Sequence, residues 1–303
     1  VVIAAMTLIG AGCAPLLVSA FFIIAHRYSP ARFAVFASWL VAFGNLGNLI
    51  GSTPMAAAVD VLGWRASMAA LGGLSLAVAV AIFLLVRDPK HHAEEGASAG
   101  FGGFIEILKV RALWPILPLL ACNYIPTAGI RGLWAGPYLH DVFGASALTI
   151  GNVTFFMAVA MIVGSFVYGP LDTLFGTRKW VAFGGNVLCG VFLAVLAASG
   201  SLSIIEVTLL FLGIGLTGMT YGMMMAHARA FVPAELTGRG VTLLNFFSII
   251  GAGVIQFAAG PLVEGLVDPA APAYAYRKLF AFYAVVMAVA LGVYLLARDV
   301  RPS

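Results

Sequence analysis

Long stretches without a single charged residue dominate this sequence. Nine uncharged runs of at least 19 residues follow one another, and a helix needs about 20 apolar residues to cross the hydrocarbon layer of a membrane. Only 9% of the 303 residues are charged, whereas soluble domains carry about 25%. Membrane β-strands would alternate between apolar and polar residues, and these runs do not. The sequence therefore predicts an all-α polytopic membrane protein with nine transmembrane helices, at residues 1–25, 33–59, 66–86, 112–130, 142–171, 180–205, 207–226, 240–263 and 279–297.

The basic residues are divided unevenly between the two sides of these nine spans. Twelve Lys and Arg residues fall on one side and four on the other. We expect the protein to lie in the cytoplasmic membrane. Cytoplasmic loops are enriched in Lys and Arg, so the side with more basic residues should face the cytoplasm. Ser303 would then lie inside and Val1 outside, and this outside start predicts further helices upstream. The net charge of +4 reflects the same bias, and we expect no nucleic-acid partner.

The longest polar stretch separates three spans from six. It carries four basic and four acidic residues, and its first part is rich in Gly, Ala and Ser. Such a composition predicts a flexible cytoplasmic linker up to about Gly103. A short amphipathic helix with Phe104, Ile107 and Leu108 on its apolar face would follow along the membrane surface. The predicted organisation is a first membrane domain, a linker and a second membrane domain, at residues 1–86, 87–111 and 112–303.

The segment 112–138 is the most informative span. Its three prolines remove backbone donors, so we expect a bent or broken helix, and broken membrane helices commonly line a cavity. Five polar or aromatic residues recur in it at intervals of three and four, which would place them on one face of the helix: Tyr124, Thr127, Arg131, Trp134 and Tyr138. Arg131 could bind a carboxylate or phosphate of a solute in bidentate fashion. Alternatively, Arg131 could snorkel to the outer interface, with the aromatic residues forming a belt there.

Polar residues on this span and on others are further candidates for binding a solute, although each could instead bridge two helices. They are Asn123, Thr220, Tyr221 and Asn245. The sequence contains no catalytic motif, no metal-ligand spacing and no cofactor-binding motif, so we expect neither an enzyme nor a cofactor. No Asp or Glu lies deep in any predicted span.

One motif carries a family resemblance. The stretch YGPLDTLFGTRKW, residues 168–180, resembles the signature loop of the major facilitator superfamily, roughly G-x-L-x-D-R-x-G-R-R/K. Gly169, Leu171 and Gly176 align with it, and Arg178 falls on its last basic position. Asp172 stands one residue early, and Thr173 and Leu174 occupy the positions of the usual Asp and Arg. Two further stretches, residues 26–33 and 61–65, resemble other loops of the same family.

The resemblance implies an architecture and a working cycle. The nine spans would match the fourth to twelfth of twelve helices, in two six-helix bundles that surround a central cavity and alternate its access. Residues 1–86 would be half of the first bundle, and residues 112–303 would contain the second. The signature loop would act as a latch that holds one conformation. Asp172 would accept hydrogen bonds from a helix N-terminus, and Arg178 and Lys179 would pair with carboxylates or helix C-termini.

These observations predict a permease. We expect secondary active or facilitated transport of a small organic solute, and Arg131 favours an anionic one. The protein would work as a monomer in the lipid bilayer, with protons or another ion as a coupling partner. Because the spans lack a deep carboxylate, a coupling carboxylate would have to lie in the upstream helices. Two alternatives stay open: a proton-coupled exporter of drugs or other amphipathic compounds, and a membrane receptor that uses the same fold without transport.

Overall fold

The computed structural model describes residues 2–13, 16, 19–20, 44, 47, 49–85, 102–233, 236–266, 268 and 271–300. Helices and short connections account for all of these residues, and no β-strand occurs among them. The chain divides into two units, Val1–Ser98 and Ala99–Ser303. We call them unit 1 and unit 2.

Six helices in the described part of the chain are long and apolar enough to cross a membrane. They are Trp64–Leu85, Ala147–Phe175, Arg178–Ala198, Ile204–Arg229, Gly238–Glu264 and Pro272–Tyr294. Parts of the predicted spans 1–25 and 33–59 lie outside the described residues, as does the whole stretch 26–33. An all-helical membrane protein is therefore confirmed, while the number of nine spans stays a prediction.

Unit 1 has three described helices: α1 (Val2–Cys13), α2 (Thr53–Leu62) and α3 (Trp64–Leu85). Pro54 stands in the first turn of α2, where the missing backbone donor costs nothing. Gly63 has a φ of +79°, and it turns the chain between α2 and α3. Large apolar side chains of α3 face outward, with Phe83 86% exposed and Leu85 80% exposed. Such a surface is suited to lipid.

Unit 2 contains ten α-helices, one 3₁₀-helix and one π-helix among its described residues. In chain order these are α4 (Gly102–Leu108), the 3₁₀-helix (Arg111–Leu113), α5 (Leu117–Cys122), α6 (Ile125–Gly129), the π-helix (Ile130–Trp134), α7 (Ala135–Phe143), α8 (Ala147–Phe175), α9 (Arg178–Ala198), α10 (Ile204–Thr217), α11 (Tyr221–Arg229), α12 (Thr237–Glu264) and α13 (Pro272–Tyr294).

Hydroxyl side chains fix where three of the long helices begin. The side chains of Ser146 and Thr177 accept hydrogen bonds from the backbone of the first turns of α8 and α9. Ser203 forms a reciprocal capping box with Glu206 at the start of α10, in which each side chain accepts from the other residue's backbone N–H. These contacts satisfy donors that a helix start leaves without a partner.

The segment 112–138 is broken, as its prolines predict. Pro118 and Pro126 lie in the first turns of α5 and α6, so the helix ends before each proline and begins again at it. A π-helix, Ile130–Trp134, then replaces the regular helical turn before α7. The result is a chain of short helical pieces where a single straight span would otherwise stand.

Small residues allow the long helices of unit 2 to pack closely. Gly164 of α8 lies directly against the carbonyl oxygen of Leu216 of α10, and Gly215 of α10 lies against the carbonyl oxygen of Met157. The opposite helix faces carry exposed apolar side chains, with Phe166 78% exposed and Phe257 83% exposed. Close backbone contact inside and apolar side chains outside are typical of helices packed in lipid.

The predicted amphipathic helix exists as α4, but its apolar face is covered by protein. Ile107 is fully buried, and Gly103 lies against the side chain of Arg239 on α12. This face packs on α12, while the position of α4 along the membrane surface stays a prediction. The remainder of the predicted linker, residues 87–101, lies outside the described residues.

Candidate functional site

A group of buried polar side chains lies where two broken helices of unit 2 meet. Asn123 follows α5, Thr220 stands between α10 and α11, and Asn186 projects from α9. The amide nitrogens of Asn123 and Asn186 donate to the Thr220 hydroxyl oxygen over 3.3 Å and 2.8 Å. We call these three residues together with Thr127 the polar cluster. All four side chains are fully buried.

Several oxygens of the polar cluster have no hydrogen-bond partner among the described residues. They are the amide oxygens of Asn123 and Asn186 and the hydroxyl oxygen of Thr127. Buried polar atoms are almost always hydrogen-bonded in folded proteins, and each exception calls for an explanation. Three such atoms lie in this cluster, and a buried water is the ordinary partner of atoms of this kind.

Two glycines bring the helices close enough for these contacts. A Cβ atom added at Gly218 would collide with the hydroxyl of Thr127, and one at Gly185 would collide with Tyr168 and Thr220. Tyr168 also donates from its hydroxyl to the carbonyl oxygen of Thr217, over 3.1 Å, at the end of α10. The break at residues 218–220 is therefore held from α8 and α9 as well as from the broken segment 112–138.

Three further predicted site residues lie together beside the polar cluster. The Tyr221 hydroxyl donates to the Asn245 amide oxygen over 2.6 Å, and the rings of Tyr221 and Tyr124 have centroids 6.1 Å apart. Tyr221 directly follows Thr220 in the chain. The structure thus brings Tyr124, Tyr221 and Asn245 next to Asn123 and Thr220, although the sequence places them on three separate spans.

Arg131 and Trp134 point to different helices. The Arg131 Nε donates to the carbonyl oxygen of Thr154 on α8 over 3.4 Å. The Trp134 Nε1 donates to the side-chain oxygen of Gln256 on α12 over 3.4 Å, and the same oxygen accepts from the Tyr283 hydroxyl over 3.1 Å. Both Arg131 and Trp134 lie in the π-helix and are half-buried.

The single polar face predicted from Tyr124 to Tyr138 does not form. Tyr138 is buried in an aromatic cluster, with ring centroids 5.2 Å from Tyr276 and 5.3 Å from Phe280. The reason is the π-helix, because its i to i+5 hydrogen bonds change the angular spacing of residues that follow it. An interval of three and four residues keeps a common face only in an uninterrupted α-helix.

The stretch 168–180 is mostly helical, whereas we expected a loop. Helix α8 continues through Pro170 to Phe175, so Gly169 and Asp172 lie in its last turns. Gly169 makes no turn, and a Cβ atom added there would meet open space. Gly176, with a φ of +65°, makes the turn to Thr177 and α9. The physical reason is that one left-handed glycine is enough to end α8 and reverse the chain.

The charged residues of this stretch bind helix ends and each other. The Arg178 Nε lies 3.1 Å from the Asp172 carboxylate, and the Lys179 ammonium donates to the carbonyl oxygen of Leu295, just after α13, over 2.8 Å. Asp299 accepts from the backbone N–H of Lys179 over 3.0 Å and from the Thr177 hydroxyl over 2.6 Å. We call this region, residues 176–179 and 295–300, the basic end of unit 2.

The carboxylate of Asp299 is stabilised in its charged form. Burial by itself would raise the pKa of Asp299, but hydrogen bonds from Thr177 and from the backbone N–H groups of Lys179 and Val300 outweigh it. The pKa of Asp299 therefore lies below its ordinary value. Its position at the N-terminus of α9 adds the favourable end of a helix dipole.

His227 of α11 is fully buried beside the basic end. Its Nε2 lies 2.8 Å from the carbonyl oxygen of Arg298, and its Nδ1 lies 2.7 Å from the Tyr294 hydroxyl. A carbonyl oxygen can only accept, so Nε2 carries the hydrogen and Nδ1 accepts from the tyrosine in the neutral ring. His227 thus joins α11 to the chain after α13.

The opposite end of unit 2 has its own polar contacts. Asp141 accepts hydrogen bonds from His140 and Tyr276, which lower the pKa of the Asp141 carboxyl. Arg277 donates to the carbonyl oxygens of Ala197 and Ala198, the last residues of α9, over 2.9 Å and 3.3 Å. A basic side chain at a helix C-terminus is favourable for the same reason as an acid at an N-terminus.

Sequence reasoning missed three residues that organise these sites: Asn186, Gln256 and Asp299. Asn186 is a lone polar residue in an apolar span, which is a signal that could have been used. Gln256 is also a polar residue in an apolar span, but nothing along the sequence pairs it with Trp134. Asp299 gave no signal, because its partners at Thr177 and Lys179 are about 120 residues away in the chain.

No group of three or more His, Cys, Asp or Glu residues in the described ranges is placed to hold a metal ion. Cys122 and Cys189 are both buried, and both are free thiols.

The comparison with known families agrees with the fold. The sequence model described as Major Facilitator Superfamily matches residues 1–133 and 101–303, which together cover the chain. No curated protein matches the sequence. Members of this family are multi-pass membrane transporters that bind small-molecule solutes and sit in the lipid bilayer. With its apolar helices and its two matching segments, this chain belongs to the major facilitator superfamily of membrane transporters.

Proposed function

We propose that this transporter moves a small organic anion across the cytoplasmic membrane by alternating access, and that Arg131 binds the anion. The observation that carries the proposal is the position of Arg131, half-buried in a π-helix within a broken membrane helix. An ionisable residue inside a membrane protein is costly to keep unless it has a function. A planar guanidinium has the geometry to bind a carboxylate or phosphate through two parallel hydrogen bonds.

The surroundings of Arg131 support binding rather than anchoring at a helix end. Its contact with the Thr154 carbonyl directs the side chain toward α8, inside unit 2. π-Helical turns occur frequently at functional sites. Tyr124, Trp134, Tyr221 and Asn245 would supply the aromatic and polar contacts for the organic part of the solute, together with Asn123, Thr127 and Thr220.

The basic end of unit 2 would serve as the latch of the transport cycle. Asp172, Arg178 and Lys179 would hold one conformation through the pair with each other and the contact with Leu295, and Gly176 would supply the turn. Gly169 belongs to the same motif, where its small size would leave room for a neighbour in the other conformation. In this proposal the basic end faces the cytoplasm. Residues 1–86 and 112–303 belong to two bundles joined by the linker 87–111. The protein works as a monomer.

Counterflow in proteoliposomes tests the proposed function. The reconstituted protein is given labelled carboxylates, phosphates and cationic dyes in parallel. We expect exchange of a carboxylate or phosphate, no exchange in the Arg131→Ala variant, and partial exchange in Arg131→Lys, because lysine keeps the charge without the planar fork. The Arg111→Ala variant is the matched control, since Arg111 is exposed in the 3₁₀-helix, and it should exchange the solute normally.

The possible failures are distinguishable. Exchange of dyes alone would favour the proton-coupled exporter, and binding without any exchange would favour the receptor. Unchanged exchange in Arg131→Ala would leave the residue as an interfacial anchor and contradict the proposed role.

A further inference from the structure

We propose that a cavity at the end of unit 2 opposite the basic end binds an organic anion, with Arg277 holding the anionic group and apolar side chains holding a short apolar body. The cavity lies between α7, the start of α13 and the connection from α9 to α10. None of the residues proposed to bind the transported solute lines it. The binding claim therefore does not depend on the proposed function.

The cavity is larger than one ordered water requires. Its volume is about 150 Å³, whereas one water occupies about 30 Å³ in the liquid. An apolar cavity of similar volume can enclose a benzene ring. A ligand of about six heavy atoms therefore fits, and a single water does not fill the space.

Arg277 is held at the wall of this cavity by one edge of its guanidinium. Its Nε and Nη2 donate to the carbonyl oxygens of Ala197 and Ala198 over 2.9 Å and 3.3 Å. The other edge, formed by Nη1 and Nη2, keeps its N–H groups without an acceptor among the described residues. No Asp or Glu in the described ranges forms an ion pair with Arg277. An edge of this kind can bind a carboxylate through two parallel hydrogen bonds.

The connection from α9 to α10 adds further hydrogen-bond donors. The backbone N–H groups of Gly200, Ser201 and Leu202 have no backbone acceptor in the part of the chain that the structure describes, and all three residues line the cavity. Gly200 lines it with its backbone alone, because it has no side chain. Backbone N–H groups around a concave surface favour an anion.

The formal charge of Arg277 decides the sign of the ligand. A cation in the cavity would be repelled by the guanidinium. The carbonyl oxygens of Ala197 and Ala198 could attract a cation, but they already accept from Arg277. The carboxylate of Asp141, on the neighbouring α7, accepts from Tyr276 and does not line the cavity. An anion therefore meets a full positive charge with no acid of the described lining against it.

The apolar part of the lining distinguishes an organic anion from an inorganic one. Val142, Phe143 and Leu196 contribute side chains that have no hydrogen-bond donor or acceptor. Water beside such side chains is poorly held, and an apolar group that displaces it gains affinity. An anion with a short apolar body satisfies both parts of the lining, whereas water or an inorganic anion satisfies only the part at Arg277.

Protection of a cysteine in the cavity tests the site without any transport. In a protein whose three cysteines have been replaced, Ser201→Cys adds a thiol to the lining, and a maleimide labels it in detergent at constant ionic strength. We expect butyrate to slow the labelling with a saturating dependence on its concentration. Butyramide has the same size without the charge, and it should leave the rate unchanged. Leu174→Cys, at the end of α8, is the control position, and its labelling rate should not respond to butyrate.

Variants of two neighbouring basic residues separate the site from general surface charge. Arg277→Gln removes the charge but keeps an amide that can donate to the carbonyl oxygens of α9. We expect it to weaken the apparent butyrate affinity about tenfold or more, as loss of a charged hydrogen-bond partner does. Arg277→Lys keeps the charge without the planar edge and should retain part of the protection. Lys278→Gln is the matched control, because Lys278 is exposed and does not line the cavity, and its affinity should be unchanged.

A free carboxylate and the headgroup of an anionic lipid share the chemistry that this cavity selects. The same labelling in nanodiscs of phosphatidylcholine, with or without phosphatidylglycerol, distinguishes the two sources. Protection by butyrate assigns a free solute. Protection by phosphatidylglycerol that butyrate does not increase assigns a lipid. Both results support an anion site at Arg277 when Arg277→Gln removes the protection.

Three results would overturn the proposal. One is equal slowing by butyrate and butyramide, which would leave apolar contact alone. Another is a labelling rate that neither butyrate nor phosphatidylglycerol changes, and both of these results come from protein with Arg277 intact. The third is an equal loss of affinity in Arg277→Gln and Lys278→Gln. Protection should persist in Arg131→Ala, so unchanged anion exchange in that variant would contradict the proposed function and leave this site intact.

Discussion

Charged side chains in unit 2 are matched to the ends of helices. Asp299 lies at the N-terminus of α9, Arg277 at the C-terminus of the same helix, and Lys179 reaches the carbonyl after α13. Each sign agrees with the partial charge of the helix end that it meets. Arg131 is different, because it stands in a π-helix between two short helices. Of these four charged residues, three therefore meet helix ends and Arg131 does not.

Asp299 should stabilise the folded protein only while it is ionised. Its pKa is lowered in the folded state, so its contribution is present above the unfolded pKa of about 3.9 and is lost as the pH falls through the lower folded value. The charge of an Asp at a helix N-terminus contributes about 0.3–1 kcal/mol, which corresponds to roughly 1–4 °C in a protein of this size. We expect Asp299→Asn to lower the apparent melting temperature by that amount at pH 7, measured in detergent.

The difference in melting temperature between the unchanged protein and Asp299→Asn should shrink as the pH falls below about 4. Once Asp299 is protonated, both proteins carry a neutral side chain at this position. Asp60→Asn is a suitable control, since Asp60 is exposed on α2 in the other unit. A gap that stays constant from pH 7 to the acid limit would contradict a role for the carboxylate charge.

At the scale of helices, close backbone contact decides how unit 2 packs. Gly164 allows α8 to touch the backbone of α10 at Leu216, and this contact holds the helix whose end forms the break at residues 218–220. Packing of this kind depends on the absence of a side chain, since helices in lipid gain little from burying further apolar surface. A single added methyl group can therefore disturb both the contact and the site next to it.

Gly164→Ala should destabilise the protein, although alanine is the better helix former. The new Cβ would collide with the Leu216 carbonyl oxygen, which cannot move without moving α10, and overpacking of this kind costs about 1–3 kcal/mol. Gly169→Ala on the same helix is the matched control, since a Cβ there meets open space. We expect a lower melting temperature for the first variant and an equal or higher one for the second. The reverse order would mean that α8 and α10 do not touch at Gly164.

At the scale of single helices, the sequence predicted the features that depend only on residues of the same segment. The prolines of 112–138 predicted the break, because a missing N–H acts on its own helix. The prolines did not predict the π-helix. Because the π-helix changes the angular spacing of the residues after it, Arg131 and Tyr138 do not share a face. Asn123 and Thr220 were both candidates, but their contact depends on how two breaks align in space. Pairing across helices is a property of packing, which periodicity along one helix does not contain.

At the scale of the whole molecule, the alternation of long helices fixes which connections share a side of the membrane. Helix α9 is long and apolar enough to cross the membrane, and a crossing would place Gly176–Thr177 and Ser199–Ser203 on opposite sides. The basic residues at the first connection make it the cytoplasmic one in our proposal. Leu174 is 74% exposed in the last turn of α8, next to the first connection.

Labelling with a membrane-impermeant maleimide tests this arrangement. In a protein whose three cysteines have been replaced, we expect Ser201→Cys to react in intact cells and Leu174→Cys to react only after the membrane is opened. Denatured protein serves as the control that each cysteine can react. Labelling of both positions from the outside would contradict a single crossing by α9, and the opposite pattern would reverse the proposed orientation.

The basic end also has a consequence for how the protein is made. Thr177, Lys179 and His227 all depend on partners within residues 294–299, which the ribosome adds 122 residues after Thr177 and 67 residues after His227. Until then the start of α9 lacks the carboxylate of Asp299, and His227 lacks its two hydrogen-bond partners, the Tyr294 hydroxyl and the Arg298 carbonyl oxygen. Residues 294–299 would therefore supply the contacts that fix the start of α9 and the end of α11, and a chain without them would leave polar groups open that the folded protein pairs.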